Sequence, residues 1–276
     1  MNRQYCFTLD DNIRFLEEAE RGRLKSVTDH PYIRLLKRCH DLYGTVFQLN
    51  MFYSYEPGGF SLDDVSGRYL AEFTELSGWL KLSFHSRFNS PRFPYDGAEP
   101  GKLAEDYALV ASALGRIAGQ AAETSTATVH YACAGREACG LLRKQGVRGL
   151  IGMFTGLPGR EGLRYYLDQG VEESFGKSSF FYDESMDLLF VRNDLILNKL
   201  ELTEIPSSLE RLGERDFWQI MTHEQYFYRD YQRYQPDFEQ KIMAALKWLD
   251  ARGAESVFLD QILEMGVETW RKNRYL

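Results

Sequence analysis

The chain has 276 residues, a formal net charge of −7, 44% hydrophobic residues and 26% charged residues. This composition is typical of a soluble globular protein, and the acidic balance argues against a nucleic-acid-binding surface, which needs clustered Lys and Arg. No run of about 18 apolar residues is present, so no membrane-spanning segment is expected. The start of the sequence lacks the apolar core of a signal peptide, which predicts a cytoplasmic protein with reduced cysteines.

Apolar, β-rich runs alternate with amphipathic helical patterns along the chain. Strands are predicted, in chain order, at 4–9, 45–53, 79–85, 126–132, 147–154, 187–191, 217–223 and 255–259. Helices that end at glycine, a preferred helix stop, are predicted at 12–22, 30–44, 103–119, 135–146 and 236–253. This alternation predicts an α/β fold with parallel strands closed or nearly closed into a barrel. We expect one domain over 1–276, with a less regular insertion at 155–216 over one end of the barrel.

Two adjacent carboxylates, Asp10 and Asp11, end the first predicted strand in the stretch "YCFTLDDN". Neighbouring negative charges repel, and burying them is costly unless a cation or hydrogen-bond donors lie nearby. One interpretation is that the strand reaches the surface there and Asp11 or Asn12 caps the next helix. The other interpretation is a cation site, and the rest of the chain favours it.

Three of the five histidines, His85, His130 and His223, lie at or near the ends of predicted strands. In parallel α/β folds the carboxyl ends of the strands form the edge where sites are built. Imidazole and carboxylate are ligands for zinc and related divalent metals. One aspartate would bind the metal, and the other would act as the base that removes a proton from water.

Four segments together resemble the motifs of the polysaccharide deacetylases, the NodB-homology carbohydrate esterases. "FTLDDN" resembles the family's T-F-D-D-G motif, and "SFHSRFNSP" resembles its H-S/T-x-x-H-P segment. "VHYACAGREACGLLRKQGVRGLIG" has the layout of the R-x-P-Y strand end with the helix and strand that follow, and "QIMTHEQYF" resembles the late L-x-H motif. The resemblance implies a distorted (β/α) barrel of about seven parallel strands.

By this resemblance, the site residues take distinct roles in a metal-dependent hydrolase. Asp10 would be the general base, Asp11 and His85 would bind the metal, and His223 would protonate the leaving amine. The resemblance implies a metal-dependent deacetylase that cleaves linear amide C–N bonds of an N-acylated sugar. Zinc is the expected metal, with cobalt, manganese or nickel as alternatives, and the expected partner is a small-molecule or oligosaccharide substrate.

The chain also departs from the family pattern. Asn89 stands where the family has a second metal-binding histidine, and His130 stands near the place of an arginine that normally holds the base. Either Asn89 or His130 could therefore complete the metal site, and His130 could instead orient Asp10. Arg136 could replace the missing arginine or be a surface charge. Glu224 could orient His223, act independently or cap a loop.

Aromatic side chains near these motifs could form a stacking wall for a sugar ring, although such residues are more often part of the core. Tyr131 and Tyr95 are the two aromatic residues that we assign to substrate binding, together with Arg136 and Glu224, and Tyr95 is expected as a contact at the rim. Two alternatives to a deacetylase remain: a catalytically silent barrel that binds a carbohydrate or a partner protein, and a glycoside-cleaving enzyme that uses an Asp with Glu224.

Overall fold

Ten strands form two sheets in the computed structural model, which describes residues 3–152, 165–167, 175 and 179–273. The strands are β1 (Gln4–Asn12), β2 (Phe47–Phe52), β3 (Leu80–Ser86), β4 (Thr126–Ala127), β5 (Gly149–Gly152), β6 (Phe180–Asp183), β7 (Leu188–Arg192), β8 (Leu195–Ile196), β9 (Phe217–His223) and β10 (Glu255–Ser256). Short β6 and β8 were not predicted from the sequence, because runs of two to four residues carry little periodic signal.

The two sheets follow one another around a distorted barrel. The first has the order β3-β2-β1-β9-β8, entirely parallel, and β10 pairs with the start of β1. The second has the order β4-β5-β7-β6, in which only β6 and β7 are antiparallel. The Thr128 N–H donates to the Phe84 carbonyl (3.4 Å) where β3 and β4 meet, and β7 runs on into β8. Counting β7 and β8 as one position gives seven parallel strand positions, so the predicted barrel is confirmed.

Eight helices of the described chain accompany these strands. They are α1 (Arg14–Arg21), α2 (Pro31–Tyr43), α3 (Leu70–Leu76), α4 (Pro100–Ala118), α5 (Arg136–Lys144), α6 (Ile205–Leu212), α7 (Phe238–Asp250) and α8 (Leu263–Asn273). All five predicted helices are present. Across the ranges given above, no helix is long and apolar enough to cross a membrane.

The inside of the barrel is partly polar near the site. Every residue of β2 is buried, as expected for a parallel strand covered on both faces. Within β2, the Gln48 amide donates to the side-chain oxygen of Asn50 (3.0 Å), and the Thr126 hydroxyl donates to Gln48 (2.9 Å). The side-chain amides of Gln48 and Asn50 are thus both hydrogen-bonded, as buried polar groups require. Asn50 is held facing the carboxyl end of β1.

The strand predicted at 126–132 is much shorter in the structure. β4 ends at Ala127, and a 3₁₀ turn follows at His130–Ala132. Tyr131 and Ala132 have positive φ angles of 61° and 50°, a conformation that cannot continue a strand. This turn places His130 beyond the end of β4, at the carboxyl-end edge of the barrel.

The stretch predicted as an insertion, 155–216, lies partly outside the described residues. Its described part holds the hairpin of β6 and β7, the short strand β8 and helix α6. β7 and β8 belong to the barrel itself, because β7 pairs with β5 and β8 pairs with β9. The expectation of an irregular cover over one end stays a prediction for the residues of 155–216 that the structure does not describe.

Candidate functional site

A bulge at the end of β1 directs the side chains of two consecutive aspartates toward the same cavity. The pairing of β1 with β2 shifts register between Leu9 and Asn12, and Asp11 has a φ of 63°. Side chains normally alternate between the faces of a strand, whereas a bulge can redirect one of them. As a result, Asp10 and Asp11 both line a cavity of about 350 Å³ at the carboxyl ends of the strands.

Asp11, His85 and His130 bring three donor atoms together in this cavity. His85 Nε2 lies 3.1 Å from Asp11 Oδ1 and 2.9 Å from His130 Nδ1, and His130 Nδ1 lies 3.5 Å from the same Asp11 oxygen. All three side chains are buried. They come from β1, β3 and the turn after β4, so the barrel's strand order brings distant residues to one point.

The geometry of this group fits a divalent metal ion. Ligand atoms bound tetrahedrally to zinc at about 2.0–2.1 Å are roughly 3.3 Å apart, close to the 2.9–3.5 Å separations measured here. The donor set of two imidazole nitrogens and one carboxylate oxygen suits zinc and related ions. Three protein ligands are also the number found at catalytic zinc sites, which keep a further position open.

Hydrogen bonds orient His85 for this role. Its Nδ1–H donates to the Thr128 carbonyl (2.6 Å), which directs Nε2 toward the other two donors, a common arrangement for metal-binding histidines. Burial tends to raise the pKa of Asp11, but the His85 hydrogen bond and the neighbouring histidines lower it to about 2. Burial and the neighbouring His85 lower the pKa of His130 to about 3. Asp11 is therefore ionised and His130 neutral at pH 7, the forms that bind metals.

Asp10 and His223 face the same cavity from the other side, where β1 and β9 pair them in register. An oxygen of Asp10 accepts a hydrogen bond from the Asn50 amide (2.6 Å). Burial raises the pKa of Asp10, opposed by the charges of His85 and His223. His223 Nδ1–H donates to the side-chain oxygen of Asn198 (2.8 Å), which leaves Nε2 able to exchange a proton.

Glu224 is placed behind the cavity, against the start of α1. Its carboxylate accepts hydrogen bonds from the N–H groups of Ile13 (2.9 Å), Arg14 (3.1 Å) and Phe15 (2.7 Å) and from the Tyr228 hydroxyl (2.7 Å). Burial raises its pKa to about 7, although these hydrogen bonds favour the charged form. Glu224 therefore joins the segment after Asp11 to the segment after His223.

The remaining predicted site residues are spread more widely. Tyr131 lines the cavity, with its ring centroid 4.3 Å from that of His130. Asn89 is half-buried near the cavity, and its backbone N–H donates to the Tyr55 carbonyl (3.1 Å). Arg136 is exposed on α5 and pairs with Asp183 (3.0 Å).

Tyr95 is buried against α4 rather than exposed at the rim of the cavity. Its hydroxyl donates to Asp106 (3.2 Å) and accepts a hydrogen bond from the Arg87 N–H (3.2 Å). Burial raises the pKa of Tyr95. The structure thus groups Asp10, Asp11, His85, His130, Tyr131 and His223 around one cavity, while Tyr95 and Arg136 contact other parts of the protein.

Three residues that hold the site were not identified from the sequence: Asn50, Thr128 and Asn198. For Asn50 a signal existed, because an amide inside the apolar run "TVFQLNMFY" is unusual for a buried strand and indicates a specific hydrogen bond. Thr128 acts through its backbone carbonyl, which any residue supplies. Asn198 lies in a short segment, "ILNKL", that has no motif.

Comparison with known proteins shows the fold of the chain. No protein-family model matches the sequence, and no curated protein is significantly similar to it. Among solved structures, a family 4 acetyl xylan esterase from Clostridium thermocellum, solved with a cobalt ion, has a TM-score of 0.53 at 12% identity, covering 95% of this chain and 91% of the esterase. A peptidoglycan N-acetylglucosamine deacetylase has a TM-score of 0.52 at 9% identity, covering 95% of this chain and 88% of the deacetylase.

A third solved structure, the 4-α-glucanotransferase from Thermococcus litoralis, has a TM-score of 0.59 at 12% identity. The match covers 96% of this chain but only 40% of the glucanotransferase. The barrel is thus shared by carbohydrate deacetylases and by an enzyme of a different class. The resemblance to the polysaccharide deacetylases predicted from the motifs is confirmed at the level of the fold, and the function has to be argued from the site.

Proposed function

We propose that the chain is a metal-dependent deacetylase that removes an acyl group, acetyl in the simplest case, from the nitrogen of a sugar derivative. The observation that carries this proposal is the convergence of Asp11, His85 and His130 beside Asp10 and His223 in one cavity. A fold shared with carbohydrate esterases and deacetylases supports it.

In this proposal Asp11, His85 and His130 hold the metal. His130 takes the position that the sequence left open between it and Asn89, because its Nδ1 is one of the three converging atoms. A bound divalent cation supplies a Lewis acid for the acyl oxygen and lowers the pKa of water. Zinc fits the donor set, and cobalt, manganese and nickel are alternatives.

Asp10 and His223 move the protons. The Asp10 carboxylate, fixed by the Asn50 amide, accepts the proton of the water that attacks the acyl carbon. His223 then donates a proton from Nε2 to the nitrogen that leaves, while Asn198 keeps its ring in place through Nδ1. Proton transfer by positioned groups of this kind contributes about 10²–10⁴-fold to the rate.

Glu224 serves in this proposal as a positioning residue. Both of its oxygens accept hydrogen bonds from backbone N–H groups at the start of α1. Oε2 accepts from Ile13 and Arg14, and Oε1 accepts from Phe15. A carboxylate held in this way is poorly placed to act on a glycosidic bond, so the glycoside-cleaving alternative has less support. Glu224 instead fixes the distance between the segment that carries Asp11 and the segment that carries His223.

Elemental analysis combined with an acetate-release assay tests the proposal. We expect nearly one equivalent of zinc or a related ion in the native protein purified without metal-affinity resin. Asp10→Asn should keep this metal and lose about 10²–10⁴-fold in acetate release from N-acetylated sugars. A native protein that stays metal-free after zinc, cobalt and manganese are offered would contradict the proposal and favour the silent binding barrel.

A further inference from the structure

Acidic and basic side chains line different parts of the cavity. Its base carries the acidic pair described above, whereas its mouth is lined by three cationic side chains: Arg92, Lys199 and Arg233. These three come from the separate connections that follow β3, β8 and β9. All three are exposed, so they are accessible to a ligand that enters the cavity. Cations from three loops thus surround one opening in a chain of net charge −7.

The two arginines differ from most others in the protein. Most described arginines form an ion pair with a carboxylate, as Arg14 does with Asp230 (2.8 Å). Within the described ranges, neither Arg92 nor Arg233 has a carboxylate within ion-pair distance. The Arg92 guanidinium is held 4.9 Å from the ring centre of Phe93 and 5.5 Å from that of Tyr131, which also lines the cavity. Arg92 also forms a side-chain hydrogen bond with Tyr131. Neither guanidinium is neutralised by a carboxylate of the described chain, so both can bind an anion.

The adjoining groove has the opposite character. This groove of about 700 Å³ shares Asp11, Gln225 and Tyr231 with the cavity and continues along α1. Its charged lining is mainly acidic and consists of Asp11, Glu17, Glu18, Glu56, Glu224 and Asp230, with Arg14 and Arg21 as the only cations among its lining residues. Both arginines are in ion pairs with carboxylates of the same groove. An anionic group is thus repelled from the groove and attracted to the cavity mouth.

We propose that the substrate is an N-acylated sugar that carries a carboxylate or a phosphate, which Arg92 and Arg233 bind at the mouth of the cavity. This inference rests on the proposed deacetylase function and narrows its substrate class. Guanidinium groups bind both anions through paired N–H donors. The cavity volume of about 350 Å³ suits one substituted sugar ring, and any further part of the substrate extends along the groove.

Isothermal titration calorimetry with three probes tests the inference: N-acetylglucosamine, N-acetylglucosamine 6-phosphate and N-acetylmuramic acid, which carries a carboxylate. We expect at least one of the two charged sugars to bind the native protein at least tenfold more tightly than the neutral sugar. Preference for the phosphate or for the carboxylate identifies which anion the site takes. Equal affinity for all three sugars, or no binding of any, would overturn the inference.

A double variant, Arg92→Gln with Arg233→Gln, separates the arginines from direct binding of the anion to a metal. It should lose most of the preference for the charged sugar, whereas Arg38→Gln, which removes an arginine paired with Glu239 on the outer helices, should keep it. Melting temperatures verify that each variant is folded. A preference that the double variant retains would also overturn the inference.

Acetate release measured with the same three sugars separates the two proposals. Release from the neutral sugar without any preference for the charged ones would leave the deacetylase proposal standing and reject the anion site. Arginine-dependent binding of a charged sugar without release of acetate would support the anion site and count against the deacetylase.

Discussion

The two sides of the cavity hold their side chains in different ways. On the β3–β4 side, ring nitrogens of His85 and His130 and an oxygen of Asp11 lie 2.9–3.5 Å from one another. On the β1–β9 side, Asp10 and His223 each form a hydrogen bond with a neutral amide side chain. Closely packed donors suit a cation that all of them share. Neutral amides fix a side chain without fixing its charge. Under the proposed function, the cavity therefore combines a metal-binding side with a side suited to proton transfer.

The largest effect is expected from a change on the metal-binding side. Asp11→Asn removes one ligand charge while keeping a residue type that tolerates the left-handed backbone at position 11. We expect it to abolish stoichiometric metal binding, as measured by elemental analysis after dialysis against zinc. Asp41→Asn, a change to an exposed carboxylate that pairs with Lys37 on α2, serves as the control. Full metal content in Asp11→Asn would show that the three converging side chains are not the metal site.

The next effect concerns the identity of the third ligand. His130→Gln should weaken zinc binding by more than the roughly 10–100-fold typical of residues that only orient a ligand. Asn89→Ala should change zinc affinity much less, because Asn89 is not among the residues that line the cavity. Competition with a fluorescent chelator measures both affinities. The reverse order of effects would assign the ligand position to Asn89.

A smaller effect is expected on the proton-transfer side. Asn198→Ala removes the acceptor for His223 Nδ1–H, so the ring is no longer held in one orientation. We expect kcat for acetate release to fall about tenfold, with metal content equal to that of the native protein. A parallel loss of metal would mean that the two sides of the cavity are not separable.

The smallest effect is a pH dependence of stability. Because the pKa of Glu224 is raised from 4.5 to about 7 in the folded protein, the folded state binds the proton more tightly than the unfolded chain. The stability that Glu224 contributes is therefore greatest below pH 4.5 and falls as the pH rises through 7, by up to about 3 kcal/mol.

Urea unfolding of the native protein and Glu224→Gln measures this dependence. The unfolding free energy of the native protein should fall relative to that of Glu224→Gln between pH 5 and pH 8. The contributions of the other titrating groups are the same in both proteins and cancel in this difference. A difference that grows with pH would show that the hydrogen bonds from α1 outweigh burial and keep Glu224 ionised. Glu75→Gln, at an exposed position on α3, is the matched control.

The barrel was predicted from the sequence, and most residues of the proposed site were placed at the correct edge of it. Apolar runs predicted every described strand except β6 and β8, because buried parallel strands are continuous apolar runs. The polar residues at the ends of those runs, Asp11 and His85 among them, could be grouped because parallel strands end at one edge. The contribution of His130 depended on a turn with positive φ angles that no pattern in "HYACAG" indicates.

Asp10 and His223 were named from the sequence as well, but the residues that hold the site in place were harder to predict. Asn198 lies far from His223 in sequence, and only the pairing of β8 with β9 brings them together. Tyr95 lies on the loop after β3, but that loop folds inward, so its hydroxyl contacts Asp106 on α4. Such contacts depend on the path of a loop, which the local sequence does not determine.

The left-handed backbone at Asp11 (φ 63°) has a consequence for how the proposed activity could be lost in evolution. Glycine adopts this conformation without strain, whereas it costs most other residues roughly 1–2 kcal/mol, with Asn and Asp among the exceptions. A single-nucleotide change from an aspartate codon to a glycine codon would therefore remove the proposed metal ligand without adding backbone strain at this position.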